Sequence, residues 1–599
     1  MTSNPNKLAR FWKELKRRRV IHVITVYASA AFVLIELVNN LTEPLNLPPG
    51  LATIVIVILA AGFPLTVILS WVYDLTGKGW ERTKPIEEIP EESKEKVSNG
   101  WKIATYLSFA VILGLVAFQL VRSTGQFMAA DMQSLMILPI ENYTGDDGLD
   151  EFISGMHSAL ITDVGRISKL KVKSKTTSVA CADKSPEDIV AEQGVDVILV
   201  PTFMCLADSV CFQMKAITSE GEEVWISDYQ EPKSQLQNLT NSITMIIAEE
   251  VNVKLTAGEK RILTENRTTD PDAFEAWVTG QRYWDQLNKN DLELAKRYFE
   301  RAIEIDPDWP PPYAGLAFTW GALMSFGNVP DSIGQPKRYE YLYKALELDS
   351  LDAYVQYVLA GISVWNEWDW EKGERAFVTS LKLNPNNARC RIYYAHLLDI
   401  LRRSEEALDQ AKLAVQLDPL NPLILGLYVV VMINNDQCDE ALEYLKMAQA
   451  IDPDHSFLQG RLHKIYECMG EYDKIFKEWR EITLPLWERY GVTEILDSTY
   501  QEHGYIAFVE EESRINKEIM KEIPFGPNYF FNQHLTIGQY DKAMDYLEIF
   551  FTDLMKRGKY QFLRGKTDMA YIGTKPYFSK MKDNPRYIEL LKKMNLPVE

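Results

Sequence analysis

SLKLNP at Ser380–Pro385, AVQLDP at Ala414–Pro419 and AQAIDP at Ala448–Pro453 are near-copies of one phrase whose prolines fall 34 residues apart. Upstream, AIEIDP closes on Pro307, and ALELDS puts Ser350 in the proline slot. Internal slots keep phase with the prolines. Ala295, Phe299 and Ala302 precede Pro307; Ala395, Ala407, Ala411 and Ala414 precede Pro419; Ala441, Leu445 and Ala448 precede Pro453. Small residues let two helices approach and the large one fills the gap, while proline ends each unit because it cannot continue a helix. GEYDK at Gly470 returns as GQYDK at Gly538, two periods later, with Gly504 midway. The array is therefore expected to run to about residue 557. Extra residues near Met324 to Pro336, including Gly327, Pro330 and Gly334, read as an inserted loop.

A 34-residue period with these slots resembles that of tetratricopeptide repeats, helix pairs stacked into a superhelix. Such an array offers a binding surface rather than an active site. The expected fold is multidomain: a three-helix membrane anchor, a small α/β domain, and an all-α repeat superhelix.

The anchor is read from three apolar runs, 20–41, 51–73 and 103–121, each long enough to cross about 30 Å of hydrocarbon. Seven basic residues from Lys7 to Arg19 precede the first run against one acid, Glu14. The positive-inside rule then puts residues 1–19 in the cytoplasm as a basic arm, and three crossings within 20–122 leave the rest periplasmic. This reading makes the chain a multi-pass inner-membrane protein touching the lipid bilayer. Glu36 is an acid inside the first run, expected to be hydrated or hydrogen-bonded near its outer end.

Charge divides along the same lines. The chain carries −20 in all. The first 40 residues are net +5 and residues 41–122 net −1, leaving −24 for the remainder. An exterior this acidic disfavours nucleic-acid partners. All six cysteines lie after the last apolar run. Cys205 and Cys211 flank a hairpin turn and form the candidate disulfide, with free buried thiols as the alternative.

Between anchor and repeats, residues 131–256 read as an α/β domain. Strands are expected at Leu135–Ile140, Leu170–Ser174, Val195–Met204, Val210–Thr218 and Glu223–Gln230. Helices are expected at Leu149–Arg166, from Pro186, and at Leu236–Leu255. The stretch LPIENYTGDDGLDEFISGMHSALITDVGRISKLKVKSKTT, from Leu138 to Thr177, resembles the opening of the domain related to the TolB amino-terminal region and the flagellar FlgO protein. GVDVILVPTFMC, with Gly221, Trp225 and Tyr229, is similar to its later strands. FWKELKRRRV and DLTGKG resemble the anchor often found beside it, and PRYIELLKKMNLP from Pro585 its usual ending. The resemblance implies a bacterial membrane-anchored repeat protein, related to CadC-like and cyclase-linked members. Their output modules, a nucleotide cyclase or a winged-helix DNA reader, are not expected in the 19 residues before the first run.

No phosphate-loop, zinc-protease or nucleophile-elbow motif occurs, so no enzyme, cofactor or metal site is expected. The expected function is a membrane-anchored extracytoplasmic scaffold or adaptor that binds a protein, peptide or envelope partner through the α/β domain and the concave face of a repeat array over 270–557, capped by helices in 558–599. Counting slots from the prolines puts Tyr354, Tyr357 and Trp365 on that face, then Arg389, His396 and Asp399. Aromatics with arginine are typical of binding hot spots. The alternatives are a transmembrane sensor acting on a separate cytoplasmic output protein, and an enzyme of unrecognised type.

Overall fold

The computed structural model describes residues 20–42, 55, 59, 62–64, 66–67, 73–76, 79–82, 133–145, 150–206, 209–218, 223–232, 239–250, 255–256, 259–260, 270–325, 329–519, 527–555 and 565–599. Two compact units divide the chain at Ala130.

In the first unit, α1 (Val20–Thr42) is followed by an antiparallel hairpin, β1 (Tyr73–Thr76) and β2 (Gly79–Arg82). Tyr27 of α1 donates to the Leu59 carbonyl (2.7 Å) and its ring lies 5.7 Å from that of Phe63. Among the described residues no helix is long and apolar enough to cross a membrane. That overturns the three-helix anchor and, with it, the inner-membrane placement and the periplasmic remainder. The physical reasons differ along the chain. His22, Ser29 and Glu36 recur every seven residues along the first run, so its sequence is not uniformly apolar. The second run ends in a strand at Tyr73. The third run, the basic arm and the side chain of Glu36 lie outside the described residues.

The second unit opens with a six-stranded sheet: β3 (Ser134–Ile137), β4 (Glu141–Asn142), β5 (Lys171–Val172), β6 (Val197–Leu206), β7 (Ser209–Thr218) and β8 (Glu223–Pro232). Its order is β5-β3-β6-β7-β8, with β4 paired to β6. The β5, β3, β4 and β6 contacts are parallel, and β6-β7-β8 is an antiparallel meander. α2 (Asp150–Val164) and α5 (Leu239–Glu250) cover one face, where Ile153, Met156, Leu160 and Val164 meet Leu135, Ile137, Phe203 and Phe212. α3 (Lys175–Ala180) and α4 (Pro186–Gln193) serve the other face, where Met136 and Ile198 meet Cys181 and Ile189.

The repeats follow as helix pairs: α6 (Pro271–Asp285) with α7 (Lys289–Ile305), α8 (Pro310–Ser325) with α9 (Asp331–Leu348), α10 (Ala353–Ile362) with α11 (Trp370–Leu383), and α12 (Ala388–Ile400) with α13 (Ser404–Leu417). Next come α14 (Pro422–Asn434) with α15 (Cys438–Ile451), α16 (Arg461–Met469) with α17 (Tyr472–Tyr490), α18 (Thr493–Ile519), which Gly504 breaks, and α19 (Pro527–Thr536) with α20 (Tyr540–Met555). A cap of α21 (Gly565–Ala570), α22 (Lys575–Met581) and α23 (Pro585–Lys593) closes the chain.

Each marking phrase lies where the second helix of a pair ends. Pro385, Pro419 and Pro453 each follow a C-cap residue, Asn384, Asp418 and Asp452. The slots Ala295, Phe299, Ala302, Ala407, Ala411, Ala414, Ala441, Leu445 and Ala448 are fully buried. The turn inside each pair carries a second signal. Trp368, Arg402, Asp436, Gly470, Gly504 and Gly538 all have positive φ, and they succeed one another at intervals of 34. Six backbone positions in phase put the degraded repeats on the same register as the clear ones. The expected loop near Met324–Pro336 is largely helix, because α9 begins at Asp331 and carries Gly334 and Pro336 within it.

Candidate functional site

The six residues placed on the concave face fall into three environments. Tyr354 and Arg389 line a cavity of about 860 Å3 between the α/β domain and the repeats. Trp365 and His396 line a second, of about 440 Å3, inside the superhelix. Tyr357 and Asp399 line neither and are about 1% exposed. The aromatic slots are thus packed between helices more than they are presented to solvent.

Three sets of contacts close the groove that the sequence left open. From α12 of the fourth pair, Arg389 reaches α6 of the first, donating to Gln281 Oε1 (2.6 Å) and ion-pairing with Asp285. His455 Nε2 lies 3.1 Å from the Asp285 carbonyl, and Ser456 Oγ donates to the Gln286 carbonyl, so the loop after the fifth pair also touches the first. The cap seals the other rim. Trp370 Nε1 donates to Met594 O (2.7 Å), Trp368 stacks on Phe551, and Arg402 donates to the Gly573 (3.0 Å) and Pro597 (2.7 Å) carbonyls. Trp368 and Trp370 therefore tie the third pair to distant parts of the chain.

The α/β domain docks on the edge formed by the marking phrases themselves. Asn386 accepts from the Val172 amide (3.0 Å) and donates to the Gly165 (2.8 Å) and Leu170 (2.7 Å) carbonyls. Asp418 accepts from Ser174 and from Thr177 Oγ1 (3.1 Å), and Lys173 Nζ donates to the Gln416 carbonyl (2.7 Å). Burial raises the pKa of Asp418, against the pull of these donors. Lys175 pairs with Glu275 of α6 at 3.0 Å.

Inside the superhelix, Trp284 of α6, Phe318 of α8, Trp365 just after α10, Tyr393 of α12 and Phe531 of α19 line the cavity, with carboxamides from Asn366, Asn434, Asn528 and Asn532. His396 sits between Tyr571 OH (2.9 Å from Nδ1) and the Leu427 carbonyl (3.0 Å from Nε2). Burial, opposed by the Leu427 bond, holds it neutral with a pKa lowered to about 4. Nε2–H then donates to Leu427 and Nδ1 accepts from Tyr571. Asp399 accepts from Asn434 and Asn435, and burial raises its pKa to about 7. His396 thus lines the cavity with both ring nitrogens engaged, and Asp399 is buried outside it.

The hairpin register sets Cys211 opposite Met204 and Cys205 opposite Val210, and Cys211 is a free thiol. A disulfide occurs elsewhere, between Cys438 of α15 and Cys468 of α16. No spacing in the sequence marks that pair, because the superhelix alone brings the two helices together. Among the described residues no group of three side chains is placed to hold a metal ion. The structure adds Trp277, Trp309, Phe318 and Tyr571 to the cavity walls. The slots for the first two were countable from Pro307; Tyr571 carries no sequence signal.

The period and the helix pairs give a tetratricopeptide-like fold of helix pairs stacked in register. No family model matches the chain. It is similar to a protein of Rhizobium meliloti (strain 1021) named putative adenylate cyclase 3, 27% identical over 240 residues, 39% of this chain and 40% of that one. The chain thus spans two fifths of that relative's length. Similar solved structures include YrrB, described as a TPR protein with an unusual peptide-binding site (22% identical, 34% of this chain, 96% of that one, TM-score 0.20). Another is PilF of Pseudomonas aeruginosa (15%, 38% and 98%, TM-score 0.26).

Proposed function

We propose that the chain binds an extended peptide segment of a protein partner inside its superhelix. The supporting observation is the composition of the inner cavity, which combines the rings of Trp284, Phe318, Trp365, Tyr393 and Phe531 with the carboxamides of Asn434, Asn528 and Asn532. An extended peptide presents side chains and backbone amides in turn. The rings take the apolar side chains, and the carboxamide oxygens of Asn434 and Asn528, whose amide nitrogens donate to Asp399 and Asp568, accept backbone N–H groups. The net charge of −20 adds support, since it disfavours a polyanionic partner.

Filling the cavity tests the reading without opening the core. Ala322 and Val430 line it and are partly exposed. Peptides selected from a random library on the full chain should bind Ala322→Trp and Val430→Trp at least tenfold more weakly, with unchanged unfolding temperatures. Equal affinity in both folded variants rejects the inner cavity as the seat.

The likeness to a protein named putative adenylate cyclase favours a second reading, in which the module serves signalling through a nucleotide cyclase. Cyclic nucleotide formed from ATP by the purified chain would replace the binding reading with an enzymatic one.

A further inference from the structure

The sixth helix pair departs from the register of its neighbours at the wall of the inner cavity. α12 begins at Ala388, three residues after Pro385, and α14 at Pro422, three after Pro419. α16 begins only at Arg461, eight residues after Pro453, because turns over residues 456–460 replace its first helical turn. The helix is therefore nine residues long, against 13 in α12 and in α14.

Little besides one covalent link holds so short a helix in place. Isolated helices of this length are unstable in water, so packing must fix it. Ile465 is its one buried residue, where α14 buries nine. Gly460 at its start and Gly470 at its end both have positive φ, and Gly460 offers no side chain to cap the free amides of the first turn. Two half-buried contacts add to the hold: His463 lies against Trp479, with 5.6 Å between the rings, and Glu467 accepts from Thr536 Oγ1 of α19 (2.7 Å). The covalent link is the disulfide from Cys468 to Cys438, the first residue of α15, with the two Cα atoms 6.0 Å apart.

That link sits at the edge of the cavity. Arg461 and Lys464 line it, and Cys468 follows on the same face of α16, since intervals of three and four residues bring side chains together. The Cys468 sulfur lies 3.8 Å from the carbonyl oxygen of Ile433, another lining residue. Both bridged cysteines are partly exposed, within reach of a small reductant, whereas Cys181 and Cys390 are buried.

We propose that the Cys438–Cys468 bridge is a redox control on the inner cavity. Oxidised, it holds α16 with Arg461 and Lys464 in the wall; reduced, it releases the helix and weakens the binding of a peptide there. Reduction by a dithiol breaks the S–S bond, and two electrons and two protons pass from the dithiol to leave two thiols on the chain, while the reductant closes into its own disulfide. The ligand in this proposal rests on the peptide reading; the release of α16 does not.

Hydrogen exchange of the full chain, with and without dithiothreitol, reads the helix without any ligand. Reduction should speed exchange in α16 at least tenfold more than in α14. Cys438→Ser with Cys468→Ser should show the faster exchange without reductant and no response to it. Unchanged exchange in α16 overturns the proposal, and so does equal acceleration in α14, because the bridge would then stabilise the array as a whole. Peptides selected from a random library on the oxidised chain, and weakened by Ala322→Trp, give the second readout. Their affinity should fall at least fivefold on reduction of the wild type and should not respond to reductant in the double variant. Equal affinity of the oxidised and reduced wild-type chains overturns the control of binding. A library that yields no binder rejects the peptide reading alone, since exchange still decides whether the bridge holds α16.

Discussion

Arg389 and Asp285 lie 104 residues apart and form an ion pair that joins the fourth helix pair to the first. Their side chains are 16% and 13% exposed. Burial raises Asp285 to a pKa of about 6, with Arg389 pulling the other way. Removing the arginine leaves that carboxylate buried without its cation, so Arg389→Ala should cost about 3 kcal/mol, the low end for a buried pair. Replacing both partners, as Arg389→Met with Asp285→Leu, should recover most of it. Urea denaturation of the four chains of this double-mutant cycle measures the coupling, and a cost below 1 kcal/mol for the single variant would remove the pair as the closure of the groove.

Asn386 should behave as the hinge pin of the α/β domain. One side chain satisfies the Val172 amide and the carbonyls of Gly165 and Leu170. Asn386→Ala leaves all three to find other partners, at about 2–3 kcal/mol. Hydrogen exchange should speed up at Val172 and stay slow in α14 and α15. Uniform acceleration across the chain would mean that the contact is not local to the docking edge.

The left-handed turn series predicts stability changes that no contact explains. At Gly470 and Gly538 an added Cβ meets nothing within 4 Å, yet φ is +72° and +76°. Alanine there should cost about 1 kcal/mol through backbone strain alone. Asp436 holds the same slot at φ 62°. Its ion pair with Lys575 is largely exposed and of little worth, so Asp436→Gly should be neutral or stabilising. Destabilisation by both kinds of change would show that the slot is not governed by backbone conformation.

These slots also explain how much of the molecule could be read in advance. Proline and alanine positions are local constraints of the helix pair, so they show the period, the phase and most helix ends. The left-handed residue is equally periodic in the backbone, but Trp368, Arg402 and Asp436 conceal it, since only the last three members are glycine. The pairing of Cys438 with Cys468 and the cover that Met594 and Pro597 provide depend on how the superhelix curves, and no local pattern encodes that. The same limit applied to the candidate site. Counting slots puts its residues on or just after the first helix of a pair, but whether Tyr357 or Asp399 faces a cavity depends on partners one or more repeats away. Apolarity of the runs at 20–41 and 51–73 suggested spans, whereas polar residues recurring at His22, Ser29 and Glu36 and a strand at Tyr73 argue otherwise.

Asp399 gives a pH signature. Burial raises its pKa from 3.8 to about 7, and the donors Asn434 and Asn435 only partly oppose the shift. A carboxyl that is easier to protonate when folded contributes most below the unfolded value, and that contribution is lost as pH rises from about 4 to 7. His157, His396 and His463, lowered to about 4 by burial, act in the opposite sense, losing stability as pH falls from 6.5. The comparison must therefore be with Asp399→Asn, which lacks only the first contribution. Wild-type stability relative to that variant should fall by a few kcal/mol between pH 4 and 7. Parallel pH profiles would place the Asp399 proton elsewhere.

The Cys438–Cys468 bridge links the second helix of the fifth pair to the first helix of the sixth, across a separation of 30 residues. Cross-linking at this distance restricts the unfolded chain and stabilises by roughly 3 kcal/mol. A reductant should therefore lower the unfolding temperature of the wild-type chain. Cys438→Ser should show the same loss without reductant and no further change with it. The free thiols at Cys181, Cys211 and Cys390 predict no such response, because none is bridged. If reductant shifts the Cys438→Ser variant as far as the wild type, the stabilising bridge is not this one.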